Sequence, residues 1–227
     1  MSTSVITIAN TAGGSGKTTL AHALSVAFIE YGKKVLLIDL DPRAFLTFRV
    51  GRESSRWSIS DFLQGSIKLE DLDSHSERFD FISSDSRSGF GYSEVELRSL
   101  INSLPKDYDL IVIDTPSDVN AGLVTALKVA DLILIPYSQS VHQYRGIEQI
   151  QKLVPDAKKS LLRIGDETDL ANQFSKWRHL DGQCSKASEI TQAELTVESV
   201  LTTAKNSVIA REIRESAYSV LEELGLA

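Results

Sequence analysis

Five short apolar runs in the first two thirds of the chain constrain its fold more than any other feature. They are "VITIA" (Val5–Ala9), "KVLLIDLDP", "FDFISS", "YDLIVIDTP" and "DLILIP". All but "FDFISS", which is aromatic and half polar, are rich in β-branched or large aliphatic residues, and each reads as a strand. Strands this uniformly apolar are covered on both faces, which predicts a doubly wound α/β fold with a mostly parallel sheet flanked by helices. Leu20, Leu24, Ala27, Phe28 and Tyr31 recur at helical spacing, so Thr18 to Tyr31 reads as an amphipathic helix capped by Gly32. Pro42 stops the second strand. "SISDFLQGSIKLEDL" predicts a short helical segment with an insertion. "SEVELRSLINSLP" carries Val95, Leu97, Leu100, Ile101 and Leu104 on a helix ended by Pro105. "NAGLVTALKVA" and "HQYRGIEQIQKLV" are further helices, the last with Tyr144, Ile147, Ile150 and Val154 inward. Beyond residue 155 "SLLRIG" is a candidate strand, while "DLANQFSKWRHLDG" and the stretch from Thr191 to Gly225 read mainly as helix. No repeat, low-complexity tract or linker interrupts the chain. One domain over 1–227 is expected, its motifs within 3–154 and a largely helical part at 155–227.

The first strand runs into "NTAGGSGKTT" (Asn10–Thr19). Gly13, Gly14 and Gly16 let the backbone turn tightly and aim N–H groups at an anion. The helix that follows adds its positive dipole end. Ser15, Lys17, Thr18 and Thr19 complete the candidate nucleotide-binding loop. The Lys17 ammonium can neutralise β- and γ-phosphate oxygens, and the Thr18 hydroxyl suits a Mg²⁺ ion. The strict pattern has Gly where this chain has Thr11. Asp39 and Asp114 each end an apolar strand, and Asp41 follows Asp39 just before Pro42. Carboxylates at the carboxyl edge of a parallel sheet lie where such folds bind ligands. A turn-forming Asp-Pro pair explains Asp41 but leaves Asp39 without a role. Asp114 reads as a Mg²⁺ carboxylate acting through water.

Composition narrows the classes. The chain has 227 residues and a formal net charge of −7, which argues against a globally basic nucleic-acid binder while leaving room for a local patch. No apolar run is long enough to span a bilayer, and the start reads as a strand and lacks the features of a signal peptide. Cys184 is the single cysteine, so no internal disulfide forms, and a buried filler is the plainer reading of it than a nucleophile. A cytoplasmic location is expected.

"GGSGKTT", "VLLIDLDP", "YDLIVIDTP" and "ADLILIP", in this order, resemble the ParA/MinD class of deviant P-loop ATPases, on the ParA side. The resemblance runs from about Val5 to Ile150. It implies ATP and Mg²⁺ as cofactors, an ATP-dependent sandwich homodimer, and positioning of a plasmid, chromosome or protein body over the nucleoid with a ParB-like or McdB-like adaptor. Carried over by position, Lys17 binds phosphate, Thr18 holds Mg²⁺, Asp39 and Asp114 bind it through water, and Asp41 positions the attacking water. Lys17 and Asp41 are the candidate catalytic residues.

Members of this class usually carry a lysine at the position of Ala12, which reaches across the dimer like an arginine finger supplied in trans, worth ~10³–10⁵ in rate in comparable enzymes. Carboxysome-positioning members of the McdA kind also lack it and use a lysine from later in the chain. Here Lys152 and Arg145, on the helix after the fifth strand, are the candidates. Binding without appreciable hydrolysis, and a vestigial nucleotide role, are the other outcomes; the intact Lys17, Thr18, Asp39, Asp41 and Asp114 speak against the last. Non-specific DNA contact, also implied by the resemblance, has candidates in Lys158, Lys159, Arg163, Lys176, Arg178, Arg211 and Arg214, with acidic residues interleaved. MinD-type members end in a basic membrane-binding helix. The end here carries Glu222 and Glu223 beside the stripe Ala217, Val220, Leu221 and Leu224, so it reads as packed on the domain, with no membrane partner. The iron proteins of the class need more than one cysteine. Synthetases of the dethiobiotin kind share the loop and stay open as an alternative. The late "IP" strand and loop that help hold adenine are not found in the sequence.

Overall fold

The computed structural model describes residues 3–65, 72–104, 107–165 and 174–227. The strands in chain order are β1 (Ser4–Ile8), β2 (Val35–Asp39), β3 (Asp73–Ser74), β4 (Asp80–Ile82), β5 (Leu110–Asp114), β6 (Leu132–Tyr137), β7 (Lys159–Ile164) and β8 (His179–Cys184). They form an eight-stranded sheet in the order β3-β4-β2-β5-β1-β6-β7-β8. Every pairing is parallel except that of β3 with β4 at one edge. The expected doubly wound, mostly parallel sheet is therefore present, with β1 at its centre between β5 and β6.

The helices are α1 (Lys17–Glu30), α2 (Phe45–Arg49), α3 (Ile59–Leu63), α4 (Glu94–Ser103), α5 (Ala121–Val129), α6 (Val141–Leu153), α7 (Ser188–Ala193), α8 (Val200–Thr203) and α9 (Val208–Leu224), with a 3-10 helix at Ser86–Phe90. Period-two alternation assigns the faces of the strands. Ile6, Ile8, Val35, Leu37, Val112 and Leu134 pack with α1 and α9. Leu36, Ile38, Ile111 and Ile113 pack with α3, α4 and α5 on the other face. Ile133, Ile135 and Leu161 meet Ile147 and Ile150 of α6 together with Phe174. Polar caps set where the helices begin: Ser58–Asp61 and Ser93–Glu96 are capping boxes, and Asn120, Ser140 and Ser207 accept from backbone N–H groups of α5, α6 and α9.

Three expectations are corrected. The α1 helix is not amphipathic: Leu20 to Ile29 are all buried, His22 and Ser25 included, because α1 is sandwiched between the sheet and α9. A helix apolar on most sides is a buried one. Tyr31, counted on its inward stripe, is its exposed C-terminal cap. The second correction is in "DLANQFSKWRHLDG". Its first five residues lie outside the described residues, but His179–Cys184 is a strand. Only Leu180 and Cys184 of that strand are buried, a register shift interrupts its pairing with β7, and Gly182 sits at φ 144, so no apolar alternation marks it. The third follows from it: the part from 155 to 227, expected to be largely helical, adds β8 to the sheet and a turn into α7, and β8 carries no Ile-Pro pair. The insertion in "SISDFLQGSIKLEDL" lies mostly outside the described residues, as does Pro105.

Candidate phosphate-binding site

The loop between β1 and α1 is shaped by its own glycines and anchored by a distant helix. Gly14 and Gly16 adopt left-handed φ values of 68 and 85, which only glycine enters without strain. Gly13 does not adopt that region, and a Cβ there would meet no atom within 4 Å, so its backbone alone gives no reason for glycine. Asn10 fixes the start of the loop. Its Oδ1 accepts from Ala12 N–H at 2.9 Å, and its Nδ2 donates to the Pro136 carbonyl at 2.9 Å and to Gln143 Oε1 at 2.8 Å. Thr11 Oγ1 donates to Gln149 Oε1 at 2.5 Å. Gly146 lies between those two glutamines on α6, against Asn10 and Ala12. Asn10, Gln143, Gly146 and Gln149 were not singled out from the sequence. The one signal was a glycine in the middle of an otherwise regular helix pattern.

The structure brings Lys17, Thr18, Asp39, Asp41 and Asp114 to one end of the sheet. Asp39 and Asp114 are register partners at the ends of adjacent strands, and both are fully buried. Thr18 Oγ1 donates to Asp114 Oδ2 at 2.8 Å. Asp39 accepts from the backbone N–H and hydroxyl of Thr47, at 2.9 and 2.8 Å, and from Asp41 N–H at 2.9 Å. Burial is the main reason that the Asp39 carboxyl is pushed up to about 6 and that of Asp114 to about 8. Asp39 itself adds to the rise at Asp114, while Thr18 and Lys17 oppose it. Two carboxyls so close together suit a cation between or beside them.

Lys17 is only 6% exposed, and burial lowers its ammonium from the usual lysine range. Its Nζ donates to Ser117 Oγ at 2.8 Å and to Ser15 Oγ at 3.5 Å. Among the described residues no carboxylate lies within ion-pair distance of it. Asp41 is buried and held by Arg43, whose Nη2 donates to Oδ2 at 2.8 Å and whose Nε donates to both oxygens at 3.1 and 3.2 Å. A cavity of about 360 Å³ is walled by the loop from Gly13 to Thr19 together with Asp41, Arg43, Phe45, Thr115, Ser117 and Glu194. Beside it a second cavity of about 380 Å³ lies between α1 and the turn after β8. It shares Gly14, Gly16, Thr19 and Glu194 with the first, and Ile164, Ala187, Ile190 and Ile213 give it an apolar wall. Cys184 lines this wall, and burial pushes its thiol up to about 12, which leaves it inert.

The sequence profile of a family described as an AAA domain (AAA_31) matches residues 3–164. The MJECL24 protein of Methanocaldococcus jannaschii is 31% identical over 175 residues, which is 70% of this chain and 68% of that protein. The chromosome partitioning protein ParA of Caulobacter vibrioides is 30% identical over 173 residues, 69% of this chain and 64% of ParA. The chain belongs to the ParA-type P-loop ATPase family. Matched relatives are covered over about half to two thirds of their own length, down to 51% for the ATP-binding protein MJ0169. At lower identity the fold of this ParA-type chain is shared with solved structures. A Cyanothece McdA variant in complex with ATP superposes with a TM-score of 0.83 at 20% identity, over 99% of this chain and 97% of that one. The septum site-determining protein MinD of Pyrococcus horikoshii with Mg-ADP gives 0.84 at 21%, over 99% and 98%. Cobyrinic acid a,c-diamide synthase of Mycobacterium smegmatis with ADP and magnesium gives 0.80 at 22%, over 98% and 96%.

The remaining candidates of this ParA-type chain lie on its surface. Arg145 and Lys152 are exposed on α6, on the same side as Gln149, which holds Thr11 of the loop. Among the late basic residues, Lys158 and Arg178 pair with Glu223, Lys176 with Glu148, Arg211 with Glu215 and Arg214 with Glu30. Lys159 is held by the carbonyls of Val154, Pro155 and Ala157, and Arg163 by Gln183. The stripe of α9, from Ile209 to Leu221, is buried against α1 and β8. Among the described residues no helix is long and apolar enough to cross a membrane.

Proposed function

We propose that the chain is a Mg-ATP-dependent, dimerising ATPase that positions or partitions a cargo. The observation that carries this is the Lys17 ammonium, buried at the head of α1 and answered only by hydroxyls. A buried cation with no carboxylate in direct ion-pair contact calls for an anion, and a glycine loop at a helix head offers backbone N–H groups to the same anion. The residues present also fit the metal. Thr18 would hold Mg²⁺ directly, with Asp39 and Asp114 acting through water, and the ion would supply positive charge to offset that of the phosphates. In this reading Lys17 meets the β- and γ-phosphates and Asp41 orients the attacking water. The apolar cavity beside the loop takes the nucleoside, with the turn after β8 over the base.

A second copy would complete the site. Phe45 is 57% exposed in the cavity wall, and Phe90 is 91% exposed on the turn that sets Gly89 against Pro42. Exposed rings in and near a site wall suit a protein partner. Ala12 offers that partner no charge, so Lys152 or Arg145 would reach across instead. A ParB-like or McdB-like adaptor would then set the cargo. Contact with nucleoid DNA, in a cytoplasmic protein, rests on family kinship, since most of the late basic residues are engaged in pairs.

Slow turnover is the second reading, favoured by Ala12 and by the grip of Arg43 on Asp41. One set of measurements decides. ATP should drive a monomer to a dimer in light scattering, with Mg²⁺-dependent phosphate release. Lys17→Ala should abolish both. Asp41→Ala should keep the dimer and stop release, and Arg145→Ala with Lys152→Ala should lower release. If the unaltered chain neither binds ATP nor dimerises, the proposal fails; turnover that needs an added small metabolite would favour a synthetase.

A further inference from the structure

Arg43 has no assigned part in the chemistry above, yet it stands in the wall of the phosphate cavity. Lys17 and Arg43 are the two cations among that cavity's lining residues. Lys17 is fixed: it is buried, at the head of a buried helix, and held by two hydroxyls. Arg43 is free to change partners. Its side chain is 48% exposed, it lies over the Phe45 ring at 5.5 Å, and its ion pair is with Asp41 two residues earlier. It is near enough to Lys17 to oppose that ammonium's charge, and near enough to Asp114 and Asp118 to feel theirs.

We infer that Arg43 is a γ-phosphate-sensing cation acting within its own subunit, exchanging Asp41 for the terminal phosphate of a bound nucleoside triphosphate. Three observations converge. The first is chemical: a guanidinium fork fits a phosphoryl group as well as it fits a carboxylate, and both matches are bidentate. The second is positional. Arg43 lines the phosphate cavity from the loop after β2, in the same wall as Asp41 and facing the glycine loop from Gly13 to Thr19. The third is the present partner. Arg43 Nε and Nη2 occupy both oxygens of Asp41, the carboxylate assigned to orient water. Transfer of the guanidinium to the phosphate would free those oxygens when a triphosphate is present. A diphosphate ends short of that position and would leave the pair closed. Binding of the third phosphate and release of Asp41 thus become one event.

The inference rests on the nucleotide reading of the loop, and the experiment separates the two. Affinities for Mg-AMPPNP and Mg-ADP are titrated for the unaltered chain, Arg43→Ala and Arg43→Lys. A charge-assisted hydrogen bond to the terminal phosphate predicts that Arg43→Ala loses about ten- to a hundredfold in AMPPNP affinity. The loss should be confined to the triphosphate, with Arg43→Lys recovering part of it as a point charge. An unchanged ratio of the two affinities in Arg43→Ala would overturn the assignment. Equal losses for both nucleotides would overturn it too, since they would mark a structural role. If the unaltered chain bound neither nucleotide, the reading of the loop itself would fall, and the inference with it.

Discussion

Gly146 matters for the side chain it lacks. A Cβ there would stand 2.1 Å from Asn10 Oδ1 and 3.0 Å from Ala12 N. Asn10 cannot step aside cheaply, because that oxygen accepts from Ala12 and the amide nitrogen serves Pro136 and Gln143. Helix propensity alone favours alanine over glycine at such a position by about 1 kcal/mol. The overlap outweighs it: overpacking costs about 1–3 kcal/mol, and a displaced Asn10 leaves buried polar atoms unpaired. Gly146→Ala is expected to lower stability by about 1–2 kcal/mol net of these terms and to weaken nucleotide binding, because the start of the loop shifts. Thermal melts and nucleotide titrations measure both. An unchanged melting temperature together with unchanged affinity would show that α6 does not anchor the loop.

At the scale of elements, α9 closes one face of the sheet. Ile213 is 2% exposed, packs in the cluster shared with α1 and β8, and lines the apolar cavity beside the loop. Ile213→Ala is expected to cost about 2–5 kcal/mol in denaturant unfolding; a cost within error of zero would mean that α9 is not part of the cooperative core. The same elements show what the sequence carries. β1, β2, β5 and β6 were legible because each is a mainly apolar run buried on both faces. The carboxylates at two of their ends were legible because a charge closing an apolar run has few structural uses. β8 was not, since an edge strand with a glycine and a register shift keeps only two inward side chains. The amphipathic reading of α1 failed for the converse reason: α9 covers its outer side, and α9 lies nearly 200 residues away in sequence. Asn10 under α6 is a contact between elements and has no spacing that a one-dimensional pattern could show; Arg43 on Asp41 is local, two residues apart in one loop, but the Asp-Pro-Arg run reads equally well as a plain turn.

Across the whole molecule, one buried polar cluster joins three parts of the chain and sets an acid limit to stability. Glu77, in the turn between β3 and β4, meets His22 of α1 at 2.5 Å and accepts from Ser199 N–H at the start of α8 at 2.9 Å and from the Thr202 hydroxyl. His75 stacks on Phe79 with ring centroids 4.5 Å apart and lies 3.7 Å from Glu77. Burial alone would raise the Glu77 carboxyl, but the bonds from His22, Thr202 and Ser199 outweigh it and hold the group below its ordinary 4.5. Burial also holds the His75 imidazole below its ordinary 6.5. Both groups take up protons more readily in the unfolded chain, so both favour the fold at high pH and lose that contribution as pH falls. For His75 the loss begins near pH 6.5, and for Glu77 near pH 4.5. Asp39 and Asp114 act with the opposite sign, since their raised values favour the fold in acid and cost stability as pH rises. The net slope is therefore a contest, and a difference measurement is needed to read one side of it. Glu77→Gln keeps the shape and removes the charge, and leaves Asp39 and Asp114 as they were. Below pH 4.5 its urea midpoint should fall less steeply than that of the unaltered chain. Glu77→Ala should cost more at every pH, about 1–3 kcal/mol for each buried partner that it strands. Parallel pH profiles for Glu77→Gln and the unaltered chain would show that the acid limit lies elsewhere.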